Sequence, residues 1–479
     1  MRSTLADKNT LLWRRRKHQI RMIHHDYMTG LGDHYASSTP TVETPSNNVR
    51  SPSVISSLNS QDIYLCTTID LLAASECSAD ASLTYFHKTV ESPFITPYDP
   101  ANWTIFKDRV VEAATHCSAV ASAALAVQEL SKARRNCLSH SKALPLYYVA
   151  CELFEKMMSS GQVGYHIDLV FISAFLVSLF EMLAPQEAHR RPLALGHGPI
   201  VDQLKMWSSA EQSQAPLSLR VAAWLLVSHA AAKRSGNPGL LSGNVEDVIA
   251  SACSRYPQLP PLDNGQNIPL GNHLVSTLSD PLFTFYFQLQ LLSTKVTDLS
   301  HYHRDRTTGA DQEEVSVLMV SLQERMEALW QARPILMRHT ASDLRAPLTS
   351  IVAMPLIALA TLCALTYYTE LVEIGRNLSD TQRATSEAIA HLAEARRMIS
   401  SPDHRPALAD NRSDGDGFVH PADLRALFLY AIEGFNESET RWPVSEMRQI
   451  KDPVCYSEFS SSRLSPRGWR GSSGRRGGE

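Results

Sequence analysis

The sequence predicts an all-α protein, with a single large multi-helical domain, a disordered N-terminal linker and a disordered C-terminal tail. Apolar residues recur at helical spacing through most of the chain. Alternating strand-like runs joined by Asn-Gly or Asp-Gly turns are missing, and Asn264-Gly265 lies among prolines. With 479 residues, of which 44% are hydrophobic and 20% charged, the chain can bury a large core.

Composition divides the chain into three parts. Residues 1–60 are predicted to be a basic segment and a disordered linker, because 37–60 is rich in Ser, Thr, Pro and Asn and has little that could form a core. Residues 453–479 end in a Gly/Ser/Arg-rich tail that cannot fold alone. The helical domain is therefore expected over 61–452. No fixed-period repeat is visible in it, so a regular solenoid is not expected.

The most regular helical pattern lies in residues 315–330. Its apolar positions are Val315, Leu318, Met319, Leu322, Met326, Leu329 and Trp330. Similar stripes run through 106–130, 144–158 and 217–232, each predicting a helix with one buried face. Asn244 and Ser379 precede helical patterns and are predicted to be the N-caps of the helices that follow.

One uncharged segment, Ala346 to Thr369, is long enough to span a bilayer. Pro355 stands in its middle, and the acidic residues Glu370 and Glu373 follow it directly. A large helical core also needs helices that are apolar all round. We therefore predict a central pair of buried helices here, with a membrane span as the alternative.

The net charge is close to neutral, with 45 Lys and Arg against 49 Asp and Glu, so any contact with a polyanion must be local. The most basic run holds Arg14, Arg15, Arg16, Lys17 and Arg21. A short cluster of this kind fits nuclear import better than base reading, which needs a folded scaffold to aim the side chains. The alternative is a solvated basic turn without a function.

No motif in the chain predicts catalysis or metal binding. The eight cysteines are scattered without a Cys-x-x-Cys pair, which favours a reducing compartment and argues against a structural zinc site. Nucleophile-elbow, metalloprotease and phosphate-binding signatures are missing. Asp168 and Glu181 lie inside apolar stretches, where we expect burial to perturb the pKa of each carboxyl and a neighbouring group to cap it.

Three blocks of sequence suggest a family. The first joins a small-residue helix at 115–135 to a helix with paired aromatic residues at 143–161. The second is the long apolar stretch 165–184, which ends near Phe180-Glu181. The third, 190–207, places His197 and Gly198 before an amphipathic helix. Over about residues 60–440 the chain resembles the large helical regulatory domain of fungal-specific transcription factors.

The resemblance implies a nuclear transcriptional regulator whose helical domain binds a partner or an effector and is not an enzyme, and control of a fungal metabolic gene cluster is among the roles it implies. It implies a homodimer or a heterodimer with another regulator, DNA contact that is weak or indirect, and no membrane. The family carries a zinc-binding cluster of six cysteines, but Trp13 and Ile20 stand where cysteines would be needed. The DNA-reading module is therefore lost, encoded elsewhere or cut off by an incomplete gene model, and we predict no cofactor.

Other classes compete with this interpretation. The chain could be a helical scaffold that does not bind DNA, or a membrane-associated helical protein that uses residues 346–369. An enzyme of the terpenoid-synthase kind is the least favoured, because it needs acid-rich metal motifs on facing helices and no Asp-Asp-x-x-Asp cluster occurs.

Overall fold

The structure, a computed structural model, describes residues 83–159, 167–196, 198–209, 215–234, 239–262, 270–300, 308–379, 386–400, 423–433, 441–443 and 445–447. Of this part of the chain, 82% is helical and none is in a strand, which confirms the all-α fold. The predicted N-terminal segment 1–60 and the predicted tail 453–479 lie outside the described residues.

The α-helices are numbered here in chain order. They are α1 Thr84–Thr89, α2 Pro100–Ala114, α3 Ser118–Arg135, α4 Ala143–Ser159, α5 Ile167–Leu183, α6 Pro192–Leu195, α7 Gly198–Ser209, α8 Pro216–Arg234, α9 Gly243–Cys253, α10 Leu270–Leu299, α11 Gly309–Gln331, α12 Ala341–Arg345, α13 Ser350–Leu378, α14 Ser386–Ile399 and α15 Leu424–Glu433. Two 3-10 helices, His140–Lys142 and Ile335–Arg338, precede α4 and α12.

Two helices begin at complete capping boxes. The hydroxyl of Thr308 accepts a hydrogen bond from the backbone N–H of Asp311, whose carboxylate accepts one from the Thr308 N–H at 3.0 Å. Thr340 and Asp343 repeat this arrangement at the start of α12. Each box pairs two N–H groups that the helix itself cannot satisfy.

Neither predicted N-cap lies where the sequence placed it. Asn244 is inside α9, which begins at Gly243 after the N-cap residue Ser242. Ser379 is the C-cap of α13, and the next helix is described from Ser386. Short polar residues favour both ends of helices and turns, so sequence alone did not separate these positions.

The continuous stripe predicted over 106–130 belongs to two helices. Helix α2 ends at Ala114, where the Thr115 hydroxyl donates to the Glu112 carbonyl at 2.7 Å. Cys117 then takes an extended conformation as the N-cap of α3. The apolar spacing continues across this break because both helices contribute to the same core.

Aromatic side chains hold the first half of the bundle together. Helix α3 packs against α4 and α5, and α8 packs against α5 and α10. Between them, the rings of Trp103, Phe106, Phe175 and Trp224 have centroids 5.3 to 6.0 Å apart. Such pairs each add about 0.5–1.5 kcal/mol beyond the area they bury. These four side chains thereby fix α2, α5 and α8 against one another.

Helix α11 largely follows its predicted stripe. Val315, Met319, Leu322 and Met326 are buried against the body of the protein, whereas Leu318 is 40% exposed. Near the end of the helix the ring of Trp330 is half-buried and stacks on Tyr367 of α13, with centroids 4.2 Å apart. The stripe therefore predicts the buried face except at Leu318.

The pair of buried helices predicted around Pro355 is a single helix, α13, that continues to Leu378. Proline near the start of a helix removes only one backbone hydrogen bond, which the long apolar contact with α10 and α11 offsets. Among the described residues, Val352–Leu378 is the one helix long and apolar enough to cross a membrane, and 67% of its most apolar window is buried inside the protein. The core helix of a large helical protein shows the same pattern.

Candidate ligand-binding site in the interior

Helix α10 carries a polar stripe into the interior. Tyr286, Gln290, Ser293, Thr294 and Thr297 lie at helical spacing, and none is more than 2% exposed. The threonine hydroxyls donate to carbonyls of their own helix one turn back. The other polar groups need partners from elsewhere, because buried polar atoms without hydrogen bonds are strongly unfavourable. The stripe therefore defines a polar layer between α10 and the helices that face it.

Helix α13 supplies a fully buried carboxylate to this layer. The Ser293 hydroxyl donates to Oε1 of Glu370 at 2.5 Å. Oε2 of Glu370 lies 3.3 Å from Nη2 of Arg425, at the start of α15, without a well-aligned hydrogen bond. Nη1 of Arg425 donates to the Thr297 hydroxyl at 2.8 Å. Burial raises the pKa of Glu370 from its ordinary value, and the Arg425 charge opposes this rise.

The amide of Gln290 is the least satisfied group in the layer. The residue is 1% exposed, and neither Oε1 nor Nε2 has a hydrogen-bond partner among the described residues. An amide can accept two hydrogen bonds and donate two. Burying such a group unpaired costs about 1–3 kcal/mol for each atom, judged from protein mutants. The described residues therefore leave both the acceptor and the donors of this amide unused.

Tyr286 lies one turn before Gln290 on α10, and its ring packs against that of Tyr98. The rings of Tyr98 and Tyr286 have centroids 5.6 Å apart. Burial raises the pKa of Tyr286 to about 12, and the positive charge of Arg234 opposes the rise. Burial also raises the pKa of Tyr98, with a further rise from the Tyr286 phenol. Both phenols are therefore neutral near physiological pH.

Charges of both signs lie around the layer, and Glu373, whose charge also raises the pKa of Glu370, pairs with Arg376 at 3.4 Å. Arg234, at the end of α8, and Arg425 supply two positive groups. Glu370 supplies a carboxylate, and Asp423 is near enough to raise the pKa of Tyr98 further. A charged ligand would bring a further charge into a buried layer, where an uncompensated charge is very unfavourable. The layer therefore suits an uncharged ligand.

A second buried polar cluster, around Arg220, is complete by contrast. Nε and Nη2 of Arg220 donate to the carboxylate of Asp99 at 2.7 and 2.8 Å, and Nη2 also donates to Asp280 at 2.9 Å. Nη1 donates to the carbonyls of Leu259 and Pro260, both at 3.4 Å. Every nitrogen of the guanidinium is used, so this cluster joins α2, α8 and α10 and has no capacity left for a ligand.

Glu181 and Asp168, the two carboxylates whose pKa the sequence predicts to be perturbed by burial, both have a raised pKa in the structure. Oε1 of Glu181 accepts a hydrogen bond from the Tyr147 hydroxyl at 3.1 Å, and burial raises the pKa of Glu181 to about 8. Burial also raises the pKa of Asp168, opposed by a backbone hydrogen bond from Ser218. The expectation of a single capped carboxylate is confirmed at each position, and the two do not meet in a shared site.

The basic patch, Arg14, Arg15, Arg16, Lys17 and Arg21, lies outside the described residues. Within the described ranges, no group of three or more His, Cys, Asp or Glu side chains could hold a metal ion. The cysteines that the structure describes are free thiols, at positions 117, 137, 151, 253 and 363.

The interior site was missed in the sequence, although two signals point to it. Gln290, Ser293 and Thr297 repeat at helical spacing inside an otherwise apolar stretch, which marks a polar stripe on a buried helix. In the sequence, Glu370 serves only as an argument against a membrane span. Its burial opposite Ser293 depends on how α10 and α13 pack, which spacing along the chain does not reveal.

Comparison with known proteins identifies no relative. No protein family, no curated protein and no solved structure matches the chain.

Proposed function

We propose that this chain is a regulatory protein whose helical domain binds a small uncharged molecule in its interior and does no chemistry on it. The observation that carries the proposal is the Gln290 amide, which is buried with both of its polar atoms unpaired among the described residues. The resemblance to the regulatory domain of fungal-specific transcription factors supports the regulatory role, because such a domain has to couple a signal to a change in activity.

The chemistry of the polar layer limits which class of ligand could bind there. Oε1 of Gln290 offers an acceptor and Nε2 offers donors, so the complementary molecule carries a donor and an acceptor side by side, as an amide or a hydroxyl-bearing compound does. The neutral ring of Tyr286, one turn from Gln290 on α10 and packed against Tyr98, offers it aromatic contact. A ligand of this kind would satisfy the amide without adding a charge.

The proposed binding of a neutral ligand is tested by a thermal-shift screen of small neutral amides and alcohols, followed by calorimetric titration of each hit. Gln290→Leu keeps a similar volume but has no hydrogen-bonding group. We expect the variant to bind at least tenfold more weakly, because it loses two hydrogen bonds of about 1 kcal/mol each and a tenfold change in affinity corresponds to about 1.4 kcal/mol. Glu313→Gln, on the exposed face of α11, serves as the matched control and should bind as the wild type does. A screen without saturable binding, or equal affinities for Gln290→Leu and wild type, would overturn the proposal.

The regulatory role has its own test. The chain is fused to a heterologous DNA-binding domain and expressed beside a reporter gene, and we expect reporter output to change several-fold in either direction. An unchanged reporter would leave the chain without a transcriptional role.

The proposed nuclear location is tested by replacing Arg14, Arg15, Arg16 and Lys17 with Ala in a fluorescently tagged chain. We expect the tagged protein to spread into the cytoplasm, because the import signal is lost. Nuclear fluorescence that persists in the variant would refute the role of this patch.

A further inference from the structure

Helix α11 exposes a group of apolar side chains, Val317, Leu318 and Val320, which we call the α11 patch. They are 64%, 40% and 44% exposed. Single apolar side chains at a surface are ordinary, whereas three within four positions of one helix form a continuous apolar surface of the kind that binds another molecule. The other large apolar side chains exposed in the described part of the chain stand apart along the sequence, at Leu138, Leu195, Met206, Leu274 and Ile335.

Only one narrow face of α11 packs against the protein. Helices α10 and α13 make the main contacts with it, through the four buried side chains of its apolar stripe. With 23 residues, the helix is about 35 Å long at 1.5 Å per residue. Its outward positions, spaced three or four residues apart, are all exposed: Glu314, Val317, Ser321, Arg325 and Ala328. This outer face is therefore long enough to pack against a second helix.

Opposite charges lie at the two ends of the α11 patch. Glu314 comes one turn before Val317, and Arg325 follows Val320 by little more than one turn. The two charged residues are 11 positions apart, which is close to three full turns of a helix, so both lie along the same edge of the outer face. The outer face therefore has an acidic end, an apolar centre and a basic end.

A second copy of the same helix, running antiparallel, complements this pattern. In a twofold pair the same contact is made twice, so Glu314 of each copy meets Arg325 of the other while the apolar side chains meet at the centre. Parallel pairing would instead bring Glu314 of both copies together, and like charges across an interface repel. The charges therefore favour the antiparallel pair.

One repulsion remains in the antiparallel arrangement. Glu313 and Glu324 are exposed toward the other edge of the outer face, so Glu313 of one copy approaches Glu324 of the other. Like charges placed near each other across an interface weaken it. The pair should therefore be weaker than the apolar contact alone would make it.

We propose that two copies of this chain associate through the outer faces of their α11 helices, antiparallel about a twofold axis. One helix face from each copy makes a small interface compared with the roughly 1,200–2,000 Å² of stable complexes. The dimer should therefore be weak, with a dissociation constant in the micromolar range. This inference does not depend on the interior ligand.

Sedimentation equilibrium of the full-length protein, from micromolar to several hundred micromolar, tests the dimer. Glu314→Arg and Arg325→Glu should each raise the dissociation constant at least tenfold, because each places two like-charged pairs in the interface. An equimolar mixture of the two variants should associate as tightly as the wild type, because every pair across the mixed dimer then has opposite charges. Circular dichroism of each variant checks that its helices are intact.

Glu327→Arg is the matched control for Glu314→Arg, because it makes the same change in charge on another side of α11. Glu327 is exposed and accepts a hydrogen bond from Gln323 at 2.9 Å. The control should leave the dissociation constant unchanged. Glu324→Gln should instead lower it severalfold, because the remaining repulsion is removed.

Three results would overturn the proposal. A wild type that stays monomeric throughout the concentration range would leave the α11 patch to a different protein. A dimer that Glu314→Arg and Glu327→Arg weaken equally would have its interface elsewhere. A mixture of Glu314→Arg and Arg325→Glu that associates no better than either variant alone would rule out the antiparallel pairing.

Discussion

Replacing Gln290 with Leu should make the ligand-free protein more stable. The two polar atoms of the amide are buried without partners among the described residues, and each such atom costs about 1–3 kcal/mol. Leucine has neither polar atom and has nearly the same volume. It would join the apolar side chains of α10 that belong to the main core. Some of the gain is offset because leucine has a different shape. We therefore expect the free energy of unfolding to rise by about 1–3 kcal/mol.

The control for this prediction is the same substitution at another buried glutamine. Oε1 of Gln128, on α3, accepts a hydrogen bond from the Phe86 backbone N–H at 2.8 Å. Gln128→Leu leaves that N–H buried and unpaired, so the free energy of unfolding should fall by about 1–3 kcal/mol. The two variants should therefore move in opposite directions.

Urea unfolding followed by circular dichroism measures both changes, with an unchanged m-value showing that the unfolded state is the same. Gln290→Leu should raise the urea midpoint and Gln128→Leu should lower it. If both lower it by similar amounts, the Gln290 amide is already satisfied in the free protein, and the reasoning that assigns it to a ligand is refuted.

Three further predictions concern other buried groups. The carboxyl of Glu181 titrates near pH 8 in the folded protein and near its ordinary value of 4.5 when unfolded, so wild-type stability should fall by up to about 5 kcal/mol as the pH rises from 4.5 to 8. Urea titrations at pH 5 and pH 8 should show no such fall in Glu181→Gln, whereas the exposed Glu313→Gln should retain it. An equal change in the free energy of unfolding between the two pH values in both variants would contradict the burial argument. Arg220→Ala should lower the free energy of unfolding, measured by urea titration, by about 3–5 kcal/mol, because it leaves two aspartates buried without a counter-charge. A decrease of less than about 1 kcal/mol would mean that the two aspartates are neutral. Gly239→Ala should lower the melting temperature, since φ is +87° and a Cβ would lie 2.6 Å from an imidazole carbon, whereas Gly243→Ala has open space and should not.

Periodicity was enough to predict the class of fold and most of the buried faces. The stripes over 144–158 and 217–232 correspond to α4 and α8, because a helix that must bury one face repeats apolar residues at its own period. Helix ends were harder to predict. Asn244 and Ser379 have the chemistry of N-caps, yet the choice among neighbouring polar residues depends on backbone conformation that spacing does not encode.

The candidate site lay largely beyond sequence reasoning. Gln290 and Glu370 are 80 positions apart along the chain, and only the packing of α10 against α13 brings their helices together. Arg425 comes from a third helix. The carboxyl of Glu181 could be predicted to be perturbed because its own helix is apolar all round, so its burial is a local property.

The most direct test of the interior site is a crystal structure of the wild-type protein grown with the tightest hit of the neutral-compound screen. We expect electron density for that compound within hydrogen-bond distance of both Oε1 and Nε2 of Gln290, enclosed between α10, α13 and α15. Density for ordered water alone at this position, or an amide paired with groups of the protein, would contradict the proposed ligand site.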